Sequence, residues 1–223
     1  MNTDRRNTSG NPVRVALRGL ALVGVAAALF GLTRSLEAHI RGSPHDFSAL
    51  NAGQQICIFC HTPHNADLSV AGAPLWNHEV TTKVYTLYNS PTMDAKVEQP
   101  EGSSRLCLSC HDGTVAVDSH GGRTGSIFLG GDHAVGADGL ANDHPISFIY
   151  DDALAAKNGK LFAPSSTPSG LGNTIAHDLL FGDHLECSSC HDVHNGPAAA
   201  AVNDSLLFIT QVQSQLCLTC HDM

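Results

Sequence analysis

Every cysteine in the chain falls in one of four copies of a single pattern: Cys57-Ile-Phe-Cys60-His61, Cys107-Leu-Ser-Cys110-His111, Cys187-Ser-Ser-Cys190-His191 and Cys217-Leu-Thr-Cys220-His221. A Cys-x-x-Cys pair admits a disulfide, part of a zinc site or a covalent haem attachment. A disulfide has no use for a following His. Zinc needs four ligands drawn from paired units, and it gives no reason for His after every copy. Chance does not supply one either, because only 14 of the 223 residues are His. Haem accounts for the whole pattern: two thiols two residues apart add to two vinyl groups, and the next imidazole reaches the iron from one face. The sequence therefore predicts four c-type haems. They attach through Cys57 and Cys60, Cys107 and Cys110, Cys187 and Cys190, and Cys217 and Cys220, with His61, His111, His191 and His221 as proximal ligands.

Four macrocycles also resolve a puzzle of composition. The apolar fraction of 42% is too high for a disordered chain, yet eight Phe, three Tyr and one Trp are few for a conventional core. With about 46 residues per haem, most of the chain must touch a cofactor, and no stable fold is expected without it. Segments 121–145 and 163–174 are rich in Gly, Asp, Ser and Pro and read as loops. Short helices are expected over 151–157 and 174–181, and another over Ser205–Gln215 capped by Asn203-Asp204. The fold expected is coil-rich and haem-cored, with short α-helices at the CxxCH motifs and little β-sheet.

Residues 19–32 read GLALVGVAAALFGL behind Arg5, Arg6, Arg14 and Arg18, the pattern of an export signal, with an uncleaved membrane anchor as the alternative. The expected division is a signal over 1–38 and one tetrahaem domain over 39–223. Removal of 1–38 takes five of the twelve basic residues and two of the twenty-one acidic ones. What remains is strongly acidic, which argues against nucleic-acid binding and favours cationic partners.

The second axial ligand sets the chemistry at each iron. Only Met93 and Met223 lie beyond residue 38, too few for four haems, whereas ten non-proximal His remain. Bis-His ligation is therefore expected throughout. It leaves no open iron, so electron transfer rather than catalysis is the expected role. His64 follows His61 by three residues, as His194 follows His191, and at that spacing each is expected to serve a neighbouring haem. The extra His recurs in motifs 1 and 3 alone, which suggests two dihaem units, motifs 1–2 and motifs 3–4. His45, in Ser43-Pro44-His45-Asp46, and His144, in Asn142-Asp143-His144-Pro145, are further candidates, with Asp143 placed to orient an imidazole. His78 and His184 are reserves. His39, His120, His133 and His177 read as surface residues.

These landmarks occur together in one order. Ser43-Pro44-His45-Asp46 precedes Cys57–His64, then Pro74-Leu75-Trp76-Asn77, Leu106–Thr114, Asn142-Asp143-His144-Pro145-Ile146, Leu185–His194 and Leu216–His221. In this order the chain resembles the OmcE-like tetrahaem cytochromes over about residues 43–221. The resemblance implies four bis-His haems in a continuous chain, with His45, His64, His144 and His194 at the distal positions. It also implies extracellular filaments in which copies join head to tail and one axial His is supplied between subunits. Other expected partners are redox donor or acceptor proteins and extracellular acceptors. His45, closest to a chain terminus, is the residue expected to cross. Residues 149–183 are compact and carry an insert of their own. The other readings open at this stage are a monomeric periplasmic shuttle, a membrane-anchored quinol-oxidising tetrahaem protein, and a multihaem oxidoreductase.

Overall fold

The computed structural model describes residues 39–223 apart from Asn203 and Asp204. The expected export signal or anchor over 1–38 lies outside the described residues. Regular elements are short: helices α1 (Gly102–His111), α2 (Asp152–Asn158), α3 (Ile175–Leu179), α4 (Pro197–Val202) and α5 (Gln215–Cys220), and strands β1 (Phe148–Ile149) and β2 (His184–Leu185). Motifs 2 and 4 lie on α1 and α5, while motifs 1 and 3 begin in single 3-10 turns, Cys57–Phe59 and Cys187–Ser189. The rest is mostly coil, as the sequence predicts. Among the described residues no helix is long and apolar enough to cross a membrane.

The largest apolar cluster is built by the insert. β1 pairs antiparallel with β2, placing Phe148 opposite Leu185. Phe148, Tyr150, Leu154, Ile175, Leu179 and Leu185 close over one another, with Ile175 fully buried. The two expected helices of this region form for local reasons. The Asp151 carboxylate accepts from the Leu154 amide at 2.8 Å, and Gly159 stops α2 in the left-handed region at φ 67°. Thr174 caps α3 by accepting from the His177 amide. The Tyr150 hydroxyl lies 2.7 Å from the Phe162 carbonyl and 3.3 Å from that of Cys220, so this cluster is the platform on which motif 4 sits.

Motifs 2 and 3 are pressed together. The Cys187 amide donates to Ser104 Oγ at 2.9 Å, and the Ser103 and Ser188 hydroxyls bond to each other. The Glu186 carboxylate is buried between them, accepting from Ser147 Oγ at 3.0 Å and the Ser104 amide at 3.3 Å. Burial raises its pKa against the pull of these hydrogen bonds. The expected division into motifs 1–2 and motifs 3–4 concerns haem packing, and this contact adds a direct protein link between motifs 2 and 3. Small serines on α1 allow these two motifs to touch.

The expected helix over Ser205–Gln215 is corrected. Ser205 and Leu206 take left-handed φ values of 47° and 60°, and Gln213 and Ser214 values of 53° and 60°. Leu206 and Leu207 are buried, and the backbone there is committed to motif 3 instead of to a helix. The proposed cap, Asn203-Asp204, lies outside the described residues.

Behind motif 2, Asp112 gathers the strap at 81–85. Its carboxylate accepts from Thr81 Oγ1 at 2.6 Å, Tyr85 OH at 2.7 Å, and the Thr114 amide and hydroxyl at 2.7 Å each. Burial pushes this carboxyl up, but the bonds from Thr81, Thr114 and Tyr85 outweigh it and hold it below the ordinary value. A depressed carboxyl stabilises the fold above its unfolded pKa of about 3.9, and that contribution disappears as pH falls through the lower folded value. Asp112→Ala strands four donors, those of Thr81 and Tyr85 in buried bonds, and is expected to cost about 2–4 kcal/mol at neutral pH. The loss should shrink below pH 4, as measured by denaturant unfolding of the holo-protein across pH.

Candidate functional site

Each CxxCH motif is held from outside by a strap of distant backbone. Across motif 1 the strap is Pro74–Asn77. His61 bridges Trp76, the Asn77 amide donates to the Cys60 carbonyl at 2.9 Å, and the Thr62 amide donates to Leu75 at 2.9 Å. Motif 3 repeats the arrangement with 205–208. His191 bridges Leu207, Phe208 donates to the Cys190 carbonyl at 3.0 Å, and Asp192 donates to Leu206 at 2.8 Å. At motif 4 the strap is 160–162, with His221 bridging Leu161 and Phe162 donating to the Cys220 carbonyl at 2.9 Å. Motif 2 is met by 133–136, where the Gly136 amide donates to the His111 carbonyl at 3.1 Å.

The straps orient three of the proximal rings. His61 Nδ1 lies 2.6 Å from the Pro74 carbonyl, His111 Nδ1 lies 2.7 Å from that of His133, and His191 Nδ1 lies 2.8 Å from that of Ser205. A carbonyl only accepts, so each Nδ1 carries the proton and each Nε2 keeps its lone pair free for a metal. At motifs 1 and 3 the residue after the accepting carbonyl, Leu75 or Leu206, is left-handed, which turns that carbonyl toward the ring. His133 thus acts through its backbone, a role its side chain does not signal.

Histidines far apart in sequence then meet in pairs. The His61 and His194 rings have centroids 6.1 Å apart and planes 20° from parallel. His45 and His111 are 6.0 Å apart at 70°, and His144 and His221 are 6.4 Å apart at 76°. Two imidazoles bound to opposite faces of one metal, each through a bond of about 2.0 Å, have centroids about 6 Å apart. Burial, then the neighbouring rings of His111, His191 and His194, lower His45 to about 4, which keeps the ring neutral. Burial and then His144 lower His221 in the same way.

The remaining histidines separate by their partners. His144 Nδ1 lies 2.9 Å from the Pro145 carbonyl, so the orienting role expected of Asp143 falls to the proline backbone. His78 is buried, with Nδ1 2.7 Å from the Glu79 carbonyl and Nε2 2.9 Å from that of Ala116 and 3.4 Å from Cys110 Sγ, so it packs directly against motif 2. His184 Nδ1 turns to the Gly182 carbonyl, His177 Nδ1 to Asp178, and His120 lies against the Phe59 ring. His64 is exposed and lines a cavity of about 710 Å³ beside motif 1. Among the described residues no ring is recorded facing either His64 or His191.

Three side-chain atoms are buried without a partner among the described residues: His45 Nδ1, Trp76 Nε1 and Asp143 Oδ2. One stands at each ring pair, since Trp76 lies edge-on to His61 and Asp143 precedes His144. A flat macrocycle whose iron takes an imidazole on each face fits rings spaced in this way. Burial pushes the second thiol of each motif up, Cys60, Cys190 and Cys220 to about 11 and Cys110 to about 12. Among the described residues no cluster of three or more His, Cys, Asp or Glu side chains is arranged to hold a bare metal ion.

Residues 180–223, which contain motifs 3 and 4, match the family model described as the doubled CXXCH motif. No curated protein matches the chain. The matched segment marks a c-type cytochrome-like multihaem region, whose chemistry is covalent haem binding and electron transfer.

The strap over motif 2 leaves no room at Gly136. A Cβ there would meet Leu108 Cδ2 at 2.8 Å, Tyr85 Cε1 at 3.1 Å and Asp112 Cβ at 3.2 Å. Gly136→Ala is expected to destabilise the holo-protein by about 1–3 kcal/mol. Its denaturation midpoint should fall without a change in m-value.

Proposed function

We propose that the chain is an electron-transfer protein, not an enzyme, carrying four c-type haems with two histidines on each iron. Copies of it join head to tail into an extracellular filament. When bound, haem supplies a one-electron ferric/ferrous couple; the chain supplies position, ligands and electrostatics. The observation that carries this reading is the repeated ring spacing of 6.0–6.4 Å at three CxxCH histidines. It pairs His61 with His194, His111 with His45 and His221 with His144.

Two of the eight candidate ligands are then left over, His191 and His64. The reading assigns them to one iron across a contact between copies, with His64 of one chain serving motif 3 of the next. The crossing residue expected from the sequence was His45, but its ring faces His111 of the same chain. The resemblance to OmcE-like tetrahaem cytochromes supports the polymer. A head-to-tail contact that does not close on itself gives a filament. Export rests on residues 19–32, outside the described residues.

One observation favours a second reading, the monomeric periplasmic shuttle. Asn195 Nδ2 donates to the His39 carbonyl at 3.3 Å, which brings His39 beside the motif 3 loop as an alternative ligand from the same chain.

Electron microscopy of the mature, haem-loaded protein separates the two. Filaments with four haems per repeat are expected, and His64→Ala should dissolve them and turn one haem high-spin. Monomers whose haems are all low-spin, losing one only in His39→Ala, would establish the shuttle.

Two further outcomes test the ligand pairs. His144→Ala should keep every haem attached yet convert one to high spin, and a fully low-spin variant would refute that assignment. The near-parallel rings of His61 and His194 should give a rhombic low-spin EPR signal, and the two near-perpendicular pairs large-gmax signals.

A further inference from the structure

Motifs 2 and 3 touch through one face of α1. Cys107 follows Ser103 by four residues and Ser104 by three, so the three side chains share that face. Two of them are committed to motif 3: the Cys187 amide donates to Ser104 Oγ at 2.9 Å, and the Ser103 and Ser188 hydroxyls bond to each other. Ser104 is fully buried. Glu186, the residue before Cys187, is buried against it, its carboxylate accepting from the Ser104 amide at 3.3 Å.

The third side chain meets motif 3 as well. The thiols of Cys107 and Cys187 face each other, and their pairing raises Cys107 and lowers Cys187, while burial pushes both up. Cysteines of the other neighbouring motifs sense each other only as charges, Cys60 at Cys110 and Cys190 at Cys220. A seam of serines thus holds the first cysteine of motif 2 opposite the first of motif 3, and each of these sulfurs has a macrocycle to carry.

Once attached, such a sulfur stands one bond from a former vinyl carbon, at the edge of its own macrocycle. Two of them side by side bring those edges together, whatever the tilt of the rings. Thioether sulfur is soft and polarizable, which suits it to electronic contact between the edges. We propose that the haems of motifs 2 and 3 meet through their thioether edges at Cys107 and Cys187, and that electrons cross between the two halves of the chain at this sulfur junction. The inference rests on the haem reading above. One electron crosses at a time: one iron goes from ferrous to ferric as the other goes from ferric to ferrous, with no bond broken and no proton moved. Ser103, Ser104 and Ser188 are positioning residues for the junction.

Electron microscopy of the haem-loaded protein gives the first readout. The thioether-bearing edges at motifs 2 and 3 should be nearest neighbours, with the Cys107 and Cys187 sulfurs between them. Edges that meet through propionates, or sulfurs separated by other side chains, overturn the proposal. The second readout is kinetic. Cys187→Ser and Cys190→Ser each leave the motif 3 haem on one thioether, and the freed vinyl shifts the α-band of that haem in both, so the departure of its electron can be followed. They differ in which sulfur remains. A ruthenium photosensitiser on Lys160→Cys, an exposed position of the motif 4 strap, injects the electron. Compared at equal driving force, transfer from motif 3 to motif 2 should be slower in Cys187→Ser than in Cys190→Ser by on the order of tenfold, about 1.4 kcal/mol of barrier. Equal rates overturn the proposal. Absence of covalent haem at motif 2 or 3 of the wild type, read by peptide mass, would instead overturn the haem reading on which the proposal stands.

Discussion

A histidine presents one nitrogen to a metal reliably only when the other is already engaged. In this chain that engagement comes from backbone carbonyls brought from far along the sequence: Pro74 for His61, His133 for His111 and Ser205 for His191. Much of the architecture follows. A segment that must cross a CxxCH motif, give a carbonyl to a ring and donate an amide to the carbonyl of the second cysteine cannot also build a helix or a long strand. The many isolated bridges and the scarcity of sheet are the cost of gripping several attachment motifs with one short chain.

Where side chains do make a core, they make it for a motif. The insert around Tyr150, Ile175 and Leu185 is the largest apolar cluster, and it supports motif 4 through the bonds to Phe162 and Cys220. Smaller clusters around Trp76 and around Leu108 lie against motifs 1 and 2. Each is too small to be a conventional interior, in keeping with a chain that has few aromatic side chains and expects macrocycles in their place.

Much of this was legible in the sequence where the signal is local. The motifs fix their chemistry within five residues, Asp151 and Thr174 announce the helices behind them, and glycine-rich stretches read as coil. What escaped was long-range. The Ser205–Gln215 segment has an acceptable helical pattern, but Leu206 and Leu207 are drawn to motif 3, and no local rule sees that. The recurrence of a Leu before an apolar residue in Leu75-Trp76, Leu206-Leu207 and Leu161-Phe162 was a faint repeat that could have marked three of the four straps. The contact between motifs 2 and 3 was equally out of sight, because it rests on the small side chains of Ser103 and Ser104.

The ring pairs differ in how much chain each needs. His45 and His111 both lie in the first half, so that pair can close as soon as the first half exists. His61 waits for His194, which arrives only with motif 3. On the proposed ligation, a chain made from its N-terminus completes its earliest motif among the last, and a product stopped midway would keep motif 2 closed while motif 1 stayed open on one side. The pairing works as a completeness check written into connectivity: the first attachment site is finished only by a nearly whole molecule.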